Sequence, residues 1–212
     1  MWRLARDAAI GMCVLTLTGC LQPQQRPDVF TAASWPARRE ALQSLERWTL
    51  QSRIAVSTVD EGWGGTLSWR QEENHVDARF RGPLGVGGFH IEGRPDELTL
   101  ETSDGERVVL TDPEAELAAE LGWRVPLASM RYWMLGVADP DGGRSTEELD
   151  EHGRLGGLTQ RDWIVQYKSY RSFDGATLPR KLVMHNDALE IRLAIDDWEL
   201  GESSSTRAQH PE

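Results

Sequence analysis

The sequence predicts an α+β domain in which a curved antiparallel sheet dominates and a few helices cover one of its faces. Three observations point there. Apolar and polar residues alternate over short runs from residue 51 onward, turn residues separate the runs, and no strand–helix–strand rhythm builds a parallel sheet. Such alternation marks strands with one wet and one buried face, as antiparallel sheets have. A chain of 212 residues with 39% hydrophobic and 27% charged residues fits one folded domain that needs no disulfide or metal staple. The nine tryptophans outnumber the four phenylalanines, which suggests amphipathic apolar surface.

The first segment reads as an address. Arg3 and Arg6 precede an apolar run over residues 8–17, which is too short to span a bilayer and has the length of a signal-peptide core. The order Leu17-Thr18-Gly19-Cys20 resembles the bacterial lipobox, whose cysteine becomes the acylated first residue of the mature protein. We therefore expect a signal peptide over 1–19, lipidation at Cys20, a flexible tether over 20–33, one domain over 34–201 and a disordered tail over 202–212. Two or more acyl chains hold a protein stably on a membrane. Leu21 after the cysteine, where Asp would favour inner-membrane retention, points to the periplasmic face of the outer membrane.

Along the domain, Ser34 reads as a cap and Pro36 as a first-turn residue. Trp35, Leu42, Leu45 and Trp48 share a helical face, which predicts a helix over 35–49. Six strands follow, marked by Ile54 and Val56, by Trp63, Leu67 and Trp69, by Val76 to Phe80, by Phe89 and Ile91, by Leu98 and Leu100, and by Val108 and Leu110. Asp112-Pro113 opens a helix that Gly122 ends, and Pro126 opens another that Gly136 ends. Strand patterns resume near Leu155, Trp163, Leu182 and Leu189, closing at Trp198, for about nine to eleven strands in all. The two midway helices could cover the concave face.

Composition and motifs exclude more than they assign. A formal charge of −11 argues against DNA, RNA and anionic membrane headgroups as partners, since each would call for a basic surface. Cys13 and Cys20 both precede the domain, and His75, His90, His152, His185 and His210 are scattered singly, so no metal site or cofactor is expected. There is no nucleophile elbow and no P-loop, and carboxylate pairs such as Glu147-Glu148 and Asp196-Asp197 read as solvated faces or turns. An enzyme is not expected.

Two features remain. The loop 82–88 carries no charge and offers only Leu84 and Val86 as sizeable side chains, either folded back on the core or exposed to an apolar partner. The segment 122–136, GWRVPLASMRYWMLG, places Leu127, Met130 and Met134 at helical spacing beside Trp133, which suits either core packing or a site for flexible chains.

That segment resembles the block G-x-x-(V/I)-P-x-x-x-(L/M)-x-x-W-x-x-G of the LolB family, the outer-membrane receptors that complete bacterial lipoprotein transport. The lipobox at Cys20, Arg53 in the first strand, the Pro83-Leu84-Gly85 loop and the late Trp198 agree, so that the likeness spans about 35–200. Val86-Gly87-Gly88 departs from the family's more polar loop continuation.

The resemblance implies a half-open barrel lidded by helices over an apolar cavity. Its expected lining is Ile54, Val56, Leu67, Trp69, Phe80, Phe89 and Ile91 from the sheet, with Leu127, Met130, Trp133 and Met134 from the lid. It implies a membrane-insertion loop at Pro83, Leu84, Gly85 and Val86. The implied partners are a LolA-type periplasmic carrier, the acyl chains of lipoprotein cargo and outer-membrane lipids, with the protein itself a monomer. Three acyl chains of about 15 methylenes each would cost on the order of 35 kcal/mol to expose to water, so a carrier must shelter them. The competing reading is a structural or assembly lipoprotein that binds a protein partner through its sheet and needs no cavity.

Overall fold

The computed structural model describes residues 34–83, 87–121 and 124–201. Helix α1 (Trp35–Gln43) leads into strands β1 (Arg47–Ser57), β2 (Gly62–Glu72), β3 (His75–Arg81), β4 (Gly88–Arg94), β5 (Glu97–Thr102) and β6 (Arg107–Leu110). Helices α2 (Pro113–Leu121) and α3 (Leu127–Leu135) interrupt the sheet. Strands β7 (Ser145–Leu149), β8 (Leu155–Gln160), β9 (Trp163–Phe173), β10 (Ala176–His185) and β11 (Glu190–Leu200) complete it. The expected signal peptide, Cys20, the tether, Leu84, Gly85, Val86 and the tail lie outside the described residues.

All eleven strands form one antiparallel sheet in the order β6-β5-β4-β3-β2-β1-β11-β10-β9-β8-β7. Two meanders are thus joined at the middle, where β1 pairs with β11 over Trp48 to Ser57. The edges β6 and β7 do not pair, which leaves a half-open barrel. Residues 111–144 carry the chain from one edge to the other, and α2 and α3 lie on that crossing.

Alternation decides which face is covered. Trp48, Leu50, Ser52 and Val56 of β1 are buried, opposite Gln71, Trp69, Leu67 and Trp63 of β2. At the junction Trp48 lies 6.3 Å from Trp69 and 5.3 Å from Trp198, so three neighbouring strands share one tryptophan cluster. That cluster corrects the first helix: α1 stops at Gln43, and Trp48 is a strand residue whose spacing from Leu45 only mimics a helical face. Asp196 and Asp197 are not a turn. Asp196 is the extra residue at the register shift between β1 and β11 and Asp197 is its neighbour opposite Gln51, and with both of them exposed Ile195 and Trp198 both point inward. β7 is a strand that sequence patterning leaves out, because its residues are mostly polar and its edge faces water. Its Glu147 is not simply solvated: it accepts hydrogen bonds from Trp35 Nε1 at 2.8 Å and Arg39 Nη1 at 3.3 Å, and so ties α1 to that edge.

Candidate functional site

The two halves of the barrel are filled differently. In the C-terminal half α3 lies directly on the sheet: Trp133, Met134 and Leu135 are fully buried, and Trp133 packs 6.1 Å from Trp163. Polar side chains fix the helix there. Gln160 Oε1 accepts from Trp133 Nε1 and from the backbone N–H of Asp139, each at 2.9 Å, while its Nε2 donates to the Asp139 carbonyl at 2.8 Å. Ser129 Oγ donates to Asp139 Oδ2 at 2.6 Å, and the Tyr167 hydroxyl donates to the Trp133 carbonyl at 2.8 Å. Gly136 then ends the helix at φ +84, a left-handed position that glycine adopts without strain.

Burial holds the Tyr167 phenol well above its ordinary range, with the nearby Tyr170 and Glu147 adding to the shift. Tyr170, which donates to the Leu155 carbonyl at 2.7 Å, is raised for the same first reason. Both hydroxyls stay protonated donors. The start of α2 is held in turn by Arg161, whose guanidinium donates to both Glu114 carboxylate oxygens at 3.0 Å and to Ser129 Oγ at 3.2 Å.

The N-terminal half is hollow. Under α2 and α3 lies a cavity of about 510 Å³. The sheet contributes Ile54, Val56, Trp63, Leu67, Trp69, Val76, Ala78, Phe80, Phe89, Ile91, Leu100 and Thr102, with Ile191 from β11. Leu117, Val125, Leu127 and Met130 form the roof, and Gly82, Pro83, Gly87 and Gly88 form the rim beside the loop. Among the described residues no ionisable side chain lines it. The Thr102 hydroxyl is the one side-chain oxygen in the described wall, and it is buried without a partner.

Phe80 and Phe89 stack at 5.3 Å. A Cβ on Gly65 would sit 2.1 Å from the Arg81 carbonyl oxygen and 2.8 Å from the Phe80 ring, so only glycine lets that ring lie over β2.

Nine of the residues expected to line a cavity do so: Ile54, Val56, Leu67, Trp69, Phe80, Phe89, Ile91, Leu127 and Met130. Trp133 and Met134 do not, because the turn of α3 that carries them faces the filled half. Pro83 is exposed at the cavity rim. Sequence reasoning missed Trp63, Leu100 and Thr102 as wall residues, although period two sets them on the same face as their neighbours. It also missed the anchoring set of Ser129, Asp139, Gln160, Arg161 and Glu114, whose members are brought together from distant parts of the chain. Among the described residues no cluster of three or more His, Cys, Asp or Glu could hold a metal. His90 pairs with Asp77 at 3.0 Å on the outer face.

Comparison with known proteins agrees with this geometry. The profile of the family "Outer membrane lipoprotein LolB" matches residues 46–198. The outer-membrane lipoprotein LolB of Nitrosococcus oceani is 35% identical over 197 residues, covering 92% of this chain and 98% of its own. That of Pseudomonas putida strain GB-1 is 36% identical over 165 residues, covering 78% and 80%. In fold, a domain of Vibrio parahaemolyticus assigned to outer-membrane lipoprotein sorting superposes with a TM-score of 0.50 at 10% identity, covering 82% of this chain and 95% of that one. Over its folded domain, the chain belongs to the LolB family of outer-membrane lipoproteins.

Proposed function

We propose that this protein receives lipoproteins from a LolA-type periplasmic carrier, shelters their acyl chains in the cavity under α2 and α3, and releases them into the outer membrane without covalent chemistry. Cys20 anchors it there as the lipidated first residue, behind a cleaved signal peptide and a flexible tether. One observation carries the reading: a hollow of about 510 Å³ with no ionisable residue among the described residues of its wall, kept open inside a domain whose other half is filled by α3.

The size is informative. At about 30 Å³ per water-sized group the cavity takes about 17 such groups, the bulk of one fatty acyl chain. At about 0.8 kcal/mol per methylene this is up to about 14 kcal/mol of gross transfer energy. The freedom lost on association, estimated at 4–15 kcal/mol, offsets most of it. A chain is therefore sheltered without being trapped, as handover between compartments requires.

The test is binding of a fluorescent fatty-acyl probe to the purified protein, displaced by palmitate. We expect saturable binding that Ala78→Phe abolishes, because Ala78 lines the hollow and a ring there occupies it. An Ala78→Phe protein that folds and still binds the probe refutes the cavity as the site. If lipoprotein transfer also proceeds normally in that variant, the cavity is dispensable, as a sheet-docking assembly lipoprotein would have it.

A further inference from the structure

The outer face of the sheet sorts its charges by row. Directly paired residues of neighbouring strands share a face, and one row runs Lys181, Ala194, Arg53, Thr66, Arg81 and Gly88 across β10, β11, β1, β2, β3 and β4. Its cations stand two strands apart, about 9–10 Å, with small neutral residues between them. Arg192 occupies the next row, paired with Ala55 and Val183, and Lys168 borders the same shallow depression, whose lining contains no acid.

Arg53 and Arg192 have carboxylate partners in Asp196 and Glu190, while Lys181 and Arg81 have no side-chain partner among the described residues. The neighbouring row towards the far end of the sheet mixes signs, running Asp197, Gln51, Ser68, Arg79, His90, Glu101 and Arg107. In a chain of net charge −11 that has only two lysines, both lysines fall in this belt. The belt ends at Gly88, the base of the loop that rims the cavity.

We propose that this basic belt is a docking surface for the anionic headgroups of a phospholipid bilayer, and that it lays the barrel against the membrane with the cavity rim at the contact line. Charge complementarity selects the bilayer, because the basic row runs across six strands to Arg81 and Gly88, well beyond the one shallow, open depression that a single anion could fill. The nearest acids, Asp196 and Glu190, are the partners of Arg53 and Arg192, while Asp60, Glu61 and Asp187 sit on the tips of the β1–β2 and β10–β11 turns, beyond the belt. The inference rests on the reading of the protein as a lipid-anchored acceptor.

Its test uses the mature full-length protein, reconstituted through its anchor into vesicles of phosphatidylcholine alone or of phosphatidylcholine with phosphatidylglycerol. Acylation of Lys168 and Lys181 by an amine-reactive ester is followed by mass spectrometry. We expect both lysines to react roughly fivefold or more slowly on the anionic vesicles at low salt, the protection being lost at high salt. Arg81→Gln with Arg192→Gln should remove most of it, since each basic residue near such a surface contributes roughly a fivefold factor.

Equal rates on both vesicle types overturn the proposal. So does protection that appears only on adding the carrier or a cargo lipoprotein, whatever the lipid, which would make the belt a protein-docking surface. Acyl-probe binding measured in the same samples separates the two readings: retained binding with unprotected lysines refutes the belt alone, and lost binding with protected lysines refutes the acyl site alone.

Discussion

Met130 and Met134 lie one turn apart on α3, and replacing each with Glu should have opposite consequences. Met130 is 5% exposed and looks into the cavity, whereas Met134 is fully buried in the filled half. A carboxylate at 130 can draw water into a space that already holds about 17 water-sized volumes, so it stays hydrated. The stability cost is then mainly the lost methionine burial, about 2–3 kcal/mol. Three or four waters kept at that carboxylate exclude as many methylenes, about 3 kcal/mol of acyl binding or roughly 150-fold in affinity.

At 134 there is no space for water. Loss of the side chain, about 2–5 kcal/mol, adds to the burial of a polar group at about 2–7 kcal/mol. The sum reaches the whole stability of an ordinary domain, about 5–15 kcal/mol. Urea unfolding and acyl-probe titration of both variants decide the matter. Met130→Glu should fold and not bind, and Met134→Glu should not fold. A Met130→Glu protein that binds at the native affinity, or a stable Met134→Glu protein, would refute the division of α3 into a cavity turn and a core turn.

Other outcomes follow from the same geometry. Gln160→Ala removes four hydrogen bonds and leaves the Trp133 indole N–H unpaired, so urea unfolding should show a loss of about 2–4 kcal/mol. Arg161→Ala cuts the tie to Glu114; because that pair is part-exposed, stability should change by less than about 1 kcal/mol, while amide exchange over α2 should quicken. Gly65→Ala has no room beside the Arg81 carbonyl and should yield little folded protein by circular dichroism and gel filtration. Burial raises the phenols of Tyr132, Tyr167 and Tyr170, so the folded state holds these protons longer than the unfolded chain. The stability they contribute is complete below the unfolded value of about 10 and falls as pH rises beyond it; tyrosinate absorbance should therefore appear together with unfolding.

Much of the sheet is legible in the sequence because a strand with one wet face writes its period directly. Ile54 and Val56, Leu67 and Trp69, and Leu193 and Ile195 all show it. Where the local pattern is ambiguous the reading fails: Leu45 and Trp48 continue a helical spacing past the end of α1, and only the contact with Trp69 and Trp198 decides against it. β7 is hidden because an edge strand rich in polar residues has no alternation to display.

The site is half legible for a different reason. Met130 and Met134 are the same residue type on one helix, and nothing nearby in sequence says which half of the barrel is filled. That depends on Gln160 and Asp139 meeting across 21 positions. The family resemblance points to a cavity; the packing of α3 decides its extent.

The pairing of β1 with β11 sets the order in which this molecule can be finished. The strand made first and the strand made last sit side by side at the centre of the sheet, and the Gly201 N–H reaches the Arg47 carbonyl at 2.9 Å. A growing chain can form each meander from local hairpins. It cannot join them, or complete the tryptophan cluster at the seam, until synthesis has passed Leu200. Closure over so long a sequence separation is intrinsically slow. A chain truncated before β11 would present two half-sheets with raw central edges, open to strand pairing with other chains, so the final eleven-residue strand determines whether the product is a barrel or an aggregate.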